Sequence, residues 1–208
     1  MQETGTRINK YMSQCGYCSR READRLIEKG EVWINGTLAT MGTKVMPGDT
    51  VMVHHTTITP CQKEYLLAFH KPAGIVCTTS KIDKNNVIDY LNFPERIYPV
   101  GRLDKESTGL LLLTNNGQLM DDVLRGSNYH EKEYIVHVNK PITDSVLQAM
   151  AQGVPILDTI TRPCKIRRMG KDCFYITLTQ GLNRQIRRMC EYFDYRVTSL
   201  KRIRIMNI

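Results

Sequence analysis

The stretch Gly101-Arg102-Leu103-Asp104-Lys105-Glu106-Ser107-Thr108-Gly109 runs straight into four leucines, Leu110 to Leu113. A short apolar run behind a glycine-bounded turn reads as a strand buried on both faces. The turn before it then stands at the edge of a rigid scaffold. One carboxylate, Asp104, is offered there between the cations Arg102 and Lys105, which is how a chain exposes a reactive group on a fixed frame.

The first 54 residues have a different grammar. Thr6 is placed to cap a first helix from Arg7 to about Gln14. Ser19-Arg20-Arg21-Glu22 is a capping box that predicts a second helix ending at Gly30. Ala23, Leu26 and Ile27 give that helix a core stripe and leave Arg20, Arg21 and Arg25 outward. Val32-Trp33-Ile34 leads into Asn35-Gly36, a tight-turn signal, and Pro47-Gly48-Asp49 marks another turn before a strand over 50–53. Residues 54–64 lack periodicity and contain Pro60, so 55–64 reads as a linker between domains at 1–54 and 65–208.

Beyond it the pattern is α+β. Strands are predicted over 65–70, 75–78, 109–113, 134–138, 161–166, 174–179 and 196–205. Helices are predicted over 86–91, 118–125, 144–151 and 184–193. Neighbouring strands in sequence favour a mixed, mainly antiparallel sheet with helices against it. In the last helix Ile186, Met189, Cys190 and Phe193 follow the core-facing spacing. Arg187 then falls at the core margin, while Arg184 and Arg188 share a side suited to phosphate.

Charge sharpens the reading. The net formal charge is +8. Residues 162–208 hold twelve Lys/Arg against three Asp/Glu, more than the whole excess, and a phosphate backbone is the natural partner for them. Those cations are interleaved with core patterns instead of lining one amphipathic helix, which disfavours a membrane surface. No run approaches the roughly 18 apolar residues of a membrane helix, and the start of the chain has no apolar signal region, so a cytoplasmic protein is expected. Seven scattered cysteines include one C-x-x-C, Cys15 and Cys18, without a second pair to complete a zinc site. Reduced thiols and no metal are expected.

The Asp104 segment closely resembles the G/H-R-L-D-x-x-(S/T)-x-G-(L/V) signature of RNA pseudouridine synthases. Three further motifs follow the same family's order: His70-Lys71-Pro72-Ala73-Gly74, Lys132-Glu133-Tyr134, and Gly181-Leu182-Asn183-Arg184-Gln185-Ile186-Arg187-Arg188-Met189. The N-terminal module resembles the RNA-binding domain named after ribosomal protein S-four. The matches are Arg7-Ile8, Ser19 to Ala23, Leu26-Ile27 and the span from Gly30 to Gly36. Together these look most like the bacterial ribosomal-RNA branch, the RsuA family. Asp158-Thr159 and the run from Gln180 to Glu191 are nearest its large-subunit pseudouridine synthase F group. Relatives usually continue past the strand ending at Ile208, so 65–208 reads as a catalytic domain that is either trimmed or that of a shortened member.

The resemblance implies an isomerase that turns uridine into pseudouridine in 23S ribosomal RNA, acting as a monomer on a stem-loop, with no cofactor. It makes Asp104 the catalytic carboxylate, ionised and desolvated, with Arg187 as its guanidinium partner and Tyr134 against the target base. Ile186 takes the other face of the base, and Arg102 the gap left by the flipped nucleotide. Leu103, Lys71, Arg184 and Arg188 complete the expected substrate contacts, Lys71 either touching phosphate or positioning its turn. Arg7, Arg20, Arg21, Arg25, Lys29 and Asn35 are the expected RNA contacts of the first module. Attack at the anomeric carbon, a glycal route and addition to the ring all remain open. So do transfer RNA or small-subunit RNA as substrate, and a non-catalytic RNA-binding or ribosome-assembly role.

Overall fold

A computed structural model describes residues 5–61, 63–80, 82–124 and 129–208. The chain divides into two compact units. One comprises the residues up to Tyr65 with the short segments Pro94–Arg96 and Asn115–Gly117; the other comprises the remainder.

The first unit opens with strand β1 (Thr6–Arg7) and helices α1 (Ile8–Gln14) and α2 (Arg20–Glu28). Strands β2 (Val32–Ile34), β3 (Thr37–Leu38), β4 (Lys44–Val45), β5 (Val51–Val53) and β6 (Thr56–Ile58) follow. Thr6 is not the expected cap. It pairs with Val45, Arg7 holds the cap position without a side-chain bond, and the Ile8 N–H is satisfied by the Thr43 carbonyl at 2.9 Å. A backbone acceptor does here what a hydroxyl would do in an isolated helix. Ser19 does cap α2, its Oγ accepting from the Glu22 N–H at 3.2 Å. Asn35 (φ 50°) and Gly36 (φ 79°) make the left-handed pair that the β2–β3 hairpin needs. Ile8 and Met12 of α1, Ala23, Leu26 and Ile27 of α2, and the inward residues of β2 and β5 form the core.

Residues 56–58 correct the linker reading. They pair with β5 as β6, through a turn at His54 (φ 46°) and His55 (φ 65°), and Ile58 is buried. Three β-branched residues after a His-His turn carry too short a pattern to announce a strand.

The second unit contains β7 (Leu66–Lys71), α3 (Val87–Leu91), β8 (Tyr98–Val100), β9 (Thr108–Thr114), α4 (Gly117–Leu124), β10 (Lys132–Val138) and α5 (Asp144–Gln152). It continues with β11 (Pro155–Ile156), β12 (Thr159–Ile160), β13 (Lys165–Arg168), β14 (Cys173–Leu178), α6 (Gln185–Tyr192) and β15 (Val197–Ile205). Among the described residues one seven-stranded sheet runs β13-β14-β10-β15-β9-β7, with β8 beside β9. Its pairings are antiparallel except β15 with β9, so the fold is the mixed, mainly antiparallel α+β architecture expected.

Some details differ. Residues 75–78 form no strand, only a bridge from Val76 to Asn86. β8 was not foreseen; a three-residue strand containing Pro99 gives no alternation to read. Of the strand expected over 161–166 only the end is formed, as the start of β13 at Lys165, and the β11–β12 hairpin ahead of it was not foreseen. Arg125, the expected end of α4, lies outside the described residues.

Two packings fix the site. Ile186, Met189 and Cys190 of α6 bury against Phe174, Ile176 and Leu178 of β14 and Val136 of β10, each fully buried apolar side chain contributing about 1.5–3 kcal/mol. β9 is buried on both faces: Leu111 and Leu113 enter one cluster, Leu112 another with Val100, Val123 and Ile205. Gly109 (φ 102°) sits opposite Arg202, so close that an added Cβ would lie 2.1 Å from the Arg202 carbonyl oxygen. Only glycine fits that approach.

Candidate active site

The turn from Gly101 to Ser107 enters β9 beside α6 and the middle of β10, and these elements border a cavity of about 500 Å³. Asp104, Arg102, Leu103, Tyr134, Arg184 and Ile186 all line it. Tyr134 is part-buried and packs against two core clusters, while Ile186 is buried. Arg102 is exposed, whereas Leu103, its neighbour, is buried and anchors the turn.

Arg187 is 8% exposed, deeper than the core margin expected. Its Nε stands 3.4 Å from Asp104 Oδ2. Its Nη2 donates to Ser107 Oγ at 3.2 Å and its Nη1 to the Val197 carbonyl at 3.5 Å. Arg184, with a left-handed backbone at the start of α6 (φ 49°), reaches Glu106 at 3.4 Å and Asp104 at 4.0 Å. The Glu106 carboxyl is held below the ordinary glutamate range, first by a backbone N–H and then by the charges of Arg184 and Arg187. Opposite charges about 4 Å apart attract by about 4 kcal/mol at an effective dielectric near 20, less where water screens them.

Water does reach Asp104. Its side chain keeps 29% of its exposure, so the expected dry, buried carboxylate is instead half-open at the cavity mouth. Leu103 and Ser107, not Asp104, are the residues of the turn that point inward.

Of the two roles expected for Lys71, the geometry fits the positioning one. It is 0% exposed, and its ammonium donates to the carbonyls of Pro72 (2.7 Å), Ile75 (2.7 Å) and Lys105 (3.2 Å). Three donors meet three acceptors, so the ammonium ties the Pro72–Ile75 segment to the Asp104 turn. Burial pulls its pKa below the usual lysine value, with Cys77, Glu106 and Asp104 acting the other way. Arg188 is not among the cavity-lining residues; it bonds the backbone and side chain of Asn183.

In the first unit Arg7, Arg20, Arg21, Arg25 and Lys29 are exposed, Arg25 pairing with Glu22 at 3.1 Å. The Asn35 side chain is engaged locally: it donates to Asp49 and accepts from the Thr50 N–H. That bracing occupies the amide expected to meet RNA.

Ser107 and Arg202 escaped the sequence reading. Arg202 is 3% exposed, lines the cavity and donates Nε–H to the Leu110 carbonyl at 2.7 Å. Its position on a basic strand gave no hint of burial. The signal for Ser107 was there, in the fixed Ser/Thr place of the Asp104 motif.

Residues 65–192 match the family described as RNA pseudouridylate synthase, and residues 6–51 match the S4 domain. The chain belongs to the RNA pseudouridylate synthase family. It is similar to the dual-specificity RNA pseudouridine synthase RluF of Salmonella typhi, at 54% identity over 99% of this chain and 72% of that protein. The Escherichia coli K12 protein of the same name is 52% identical with the same coverage. The ribosomal large subunit pseudouridine synthase B of Bacillus subtilis is 33% identical over 94% of this chain and 84% of its own length. A solved pseudouridylate synthase superposes with a TM-score of 0.69 at 25% identity, covering 98% of this chain and 90% of that one. The pseudouridine synthase is thus an isomerase acting on RNA. Among the described residues, no helix is long and apolar enough to cross a membrane.

Proposed function

We propose that the chain converts a specific uridine of bacterial 23S ribosomal RNA to pseudouridine, taking the nucleotide flipped out of a stem-loop and working as a monomer in the cytoplasm. One observation carries the catalytic assignment: among the described residues lining the cavity, Asp104 is the sole carboxylate, and a buried guanidinium stands 3.4 Å from it. The reaction breaks the bond from ribose C1′ to N1 and forms one from C1′ to C5. The C5 proton leaves and N1 gains one, so composition is conserved and no donor is consumed. Asp104 serves the C1′ transfer as a carboxylate, with the Arg187 guanidinium beside it. Tyr134 and Ile186 sandwich the base, and Arg102 takes the place vacated in the helix. Arg184 contacts phosphate at the cavity mouth. Arg7, Arg20, Arg21, Arg25 and Lys29 supply RNA contacts from the first unit.

Asp104→Asn tests this. RNA binding should persist while tritium release from carbon-five-labelled uridine falls at least about 10³-fold, the scale on which loss of a covalent catalyst is felt. Full activity in that variant overturns the assignment.

A second substrate is favoured by the term dual-specificity in the names of the 54% and 52% identical relatives. Transfer RNA is the proposed second target. Mapping pseudouridine in ribosomal and transfer RNA from a deletion strain separates the two: loss in one RNA class alone leaves a single specificity.

A further inference from the structure

Arg187 carries its role only if its guanidinium is aimed. The side chain has four rotatable bonds, and the pair with Asp104 is monodentate, from Nε alone. At 3.4 Å that Nε–H lacks a hydrogen-bond partner, so the contact with Asp104 is a weak tether for the group that makes it. What holds the plane lies on its far side. Ser107 Oγ accepts from Nη2 and the Val197 carbonyl from Nη1, at 3.2 and 3.5 Å. Ser107 is 1% exposed, and its own N–H closes the Asp104 turn by donating to the Asp104 carbonyl at 3.0 Å. The residue is therefore bonded at its backbone to the aspartate and at its side chain to the arginine.

We propose that Ser107 is a positioning residue for the isomerisation: its hydroxyl orients Arg187 so that Nε faces the carboxylate that the same turn presents. The inference rests on the reading of Asp104 and Arg187 given above. Its physical content is that one short turn sets both members of the ion pair. A displacement of the turn carries carboxylate and guanidinium together, and their separation survives the entry of a nucleotide. Val197 alone, a 3.5 Å contact to one nitrogen, leaves rotation about that bond open. Removing the hydroxyl frees the guanidinium to turn away, and charge-assisted bonds of this kind carry effects of about 10- to 100-fold.

The test uses the full chain and a stem-loop RNA with tritiated uridine. Single-turnover rate, RNA dissociation constant and melting temperature are measured for Ser107→Ala, Ser107→Thr and Asp104→Asn. Ser107→Ala is expected to slow turnover about 10- to 100-fold at unchanged RNA affinity, and Ser107→Thr to restore it to within about threefold. A merely structural hydroxyl would lower melting temperature and leave the rate of the folded fraction alone. A wild-type rate in Ser107→Ala, a loss that threonine does not restore, or a loss seen in affinity instead of rate overturns the proposal. Should the alanine variant fail to fold, Ser107→Cys keeps the volume without the strong acceptor and is held to the same criteria. If Asp104→Asn stays active, the underlying assignment falls. If it is inactive while the Ser107 variants turn over normally, only the positioning role falls.

Discussion

Gly109→Ala separates two costs that are usually confounded, backbone strain and steric exclusion. Gly109 has φ 102°, and its Cβ would lie 2.1 Å from the oxygen and 2.8 Å from the nitrogen of Arg202. Gly74, in the same unit, has φ 87° and nothing within 4 Å of the corresponding Cβ. Alanine at position 74 should therefore cost only the left-handed penalty, about 1–2 kcal/mol. Alanine at 109 adds overpacking, about 1–3 kcal/mol, because β9 and β15 must part by about 1 Å to reach an ordinary contact. The parallel pairing between them consists of two register pairs, Thr108 with Lys201 and Gly109 with Arg202, so nothing further along shares the load. The total is about 2–5 kcal/mol, or about 5–15 °C in melting temperature against about 2–6 °C for Gly74→Ala. Calorimetry of the full chain would resolve this in the catalytic transition. Equal shifts for the two variants would refute the claim that interstrand approach dictates glycine at 109.

Two further outcomes follow from the side chains. Lys71→Met preserves length but leaves the Pro72, Ile75 and Lys105 carbonyls without their donor; a loss of about 2–4 kcal/mol is expected by denaturant unfolding, and unchanged stability would show the ammonium to be dispensable. Glu131 bonds Lys165 and Arg204, and its pKa is held below the ordinary 4.5 by Lys165 first and Arg204 next. A depressed carboxylate stabilises the fold above its unfolded value and loses that contribution as pH falls through the folded one. Glu131→Gln should therefore flatten the decline of melting temperature below about pH 4.5; the same steep acid limb in the variant would contradict this.

Much of this architecture was legible because local and global signals agree. The Ser19 capping box, the Asn35-Gly36 hairpin and the core spacing of Ile186, Met189 and Cys190 each state locally what the packed structure uses. The family resemblance implied one site for Asp104, Arg187, Tyr134 and Ile186, and the fold brings them to one cavity and its wall. What escaped depends on distant partners. Lys71 reads as either a phosphate contact or a turn residue until three carbonyls from two loops converge on it. Asp104 looks buried from its chemistry, yet Leu103 and Ser107 take the inward positions of the turn. Thr6 has a capping residue's chemistry, but the pairing of β1 with β4 supplies the acceptor first. For Thr6, and for the third acceptor of Lys71, the deciding atom lies in Thr43 or Lys105, tens of residues away, and no local window contains it.

The lysine behind the Asp104 turn also shapes the potential that the turn would offer a nucleic acid. Carbonyl oxygens turned outward would oppose an incoming polyanion with their negative dipole ends. By gathering those of Pro72, Ile75 and Lys105 onto a single ammonium, the chain discharges three of them inside. The side chains of Arg102, Lys105, Asp104 and Glu106 are left to set the outward potential, and a sugar–phosphate strand can settle close to the turn without electrostatic penalty from these carbonyls.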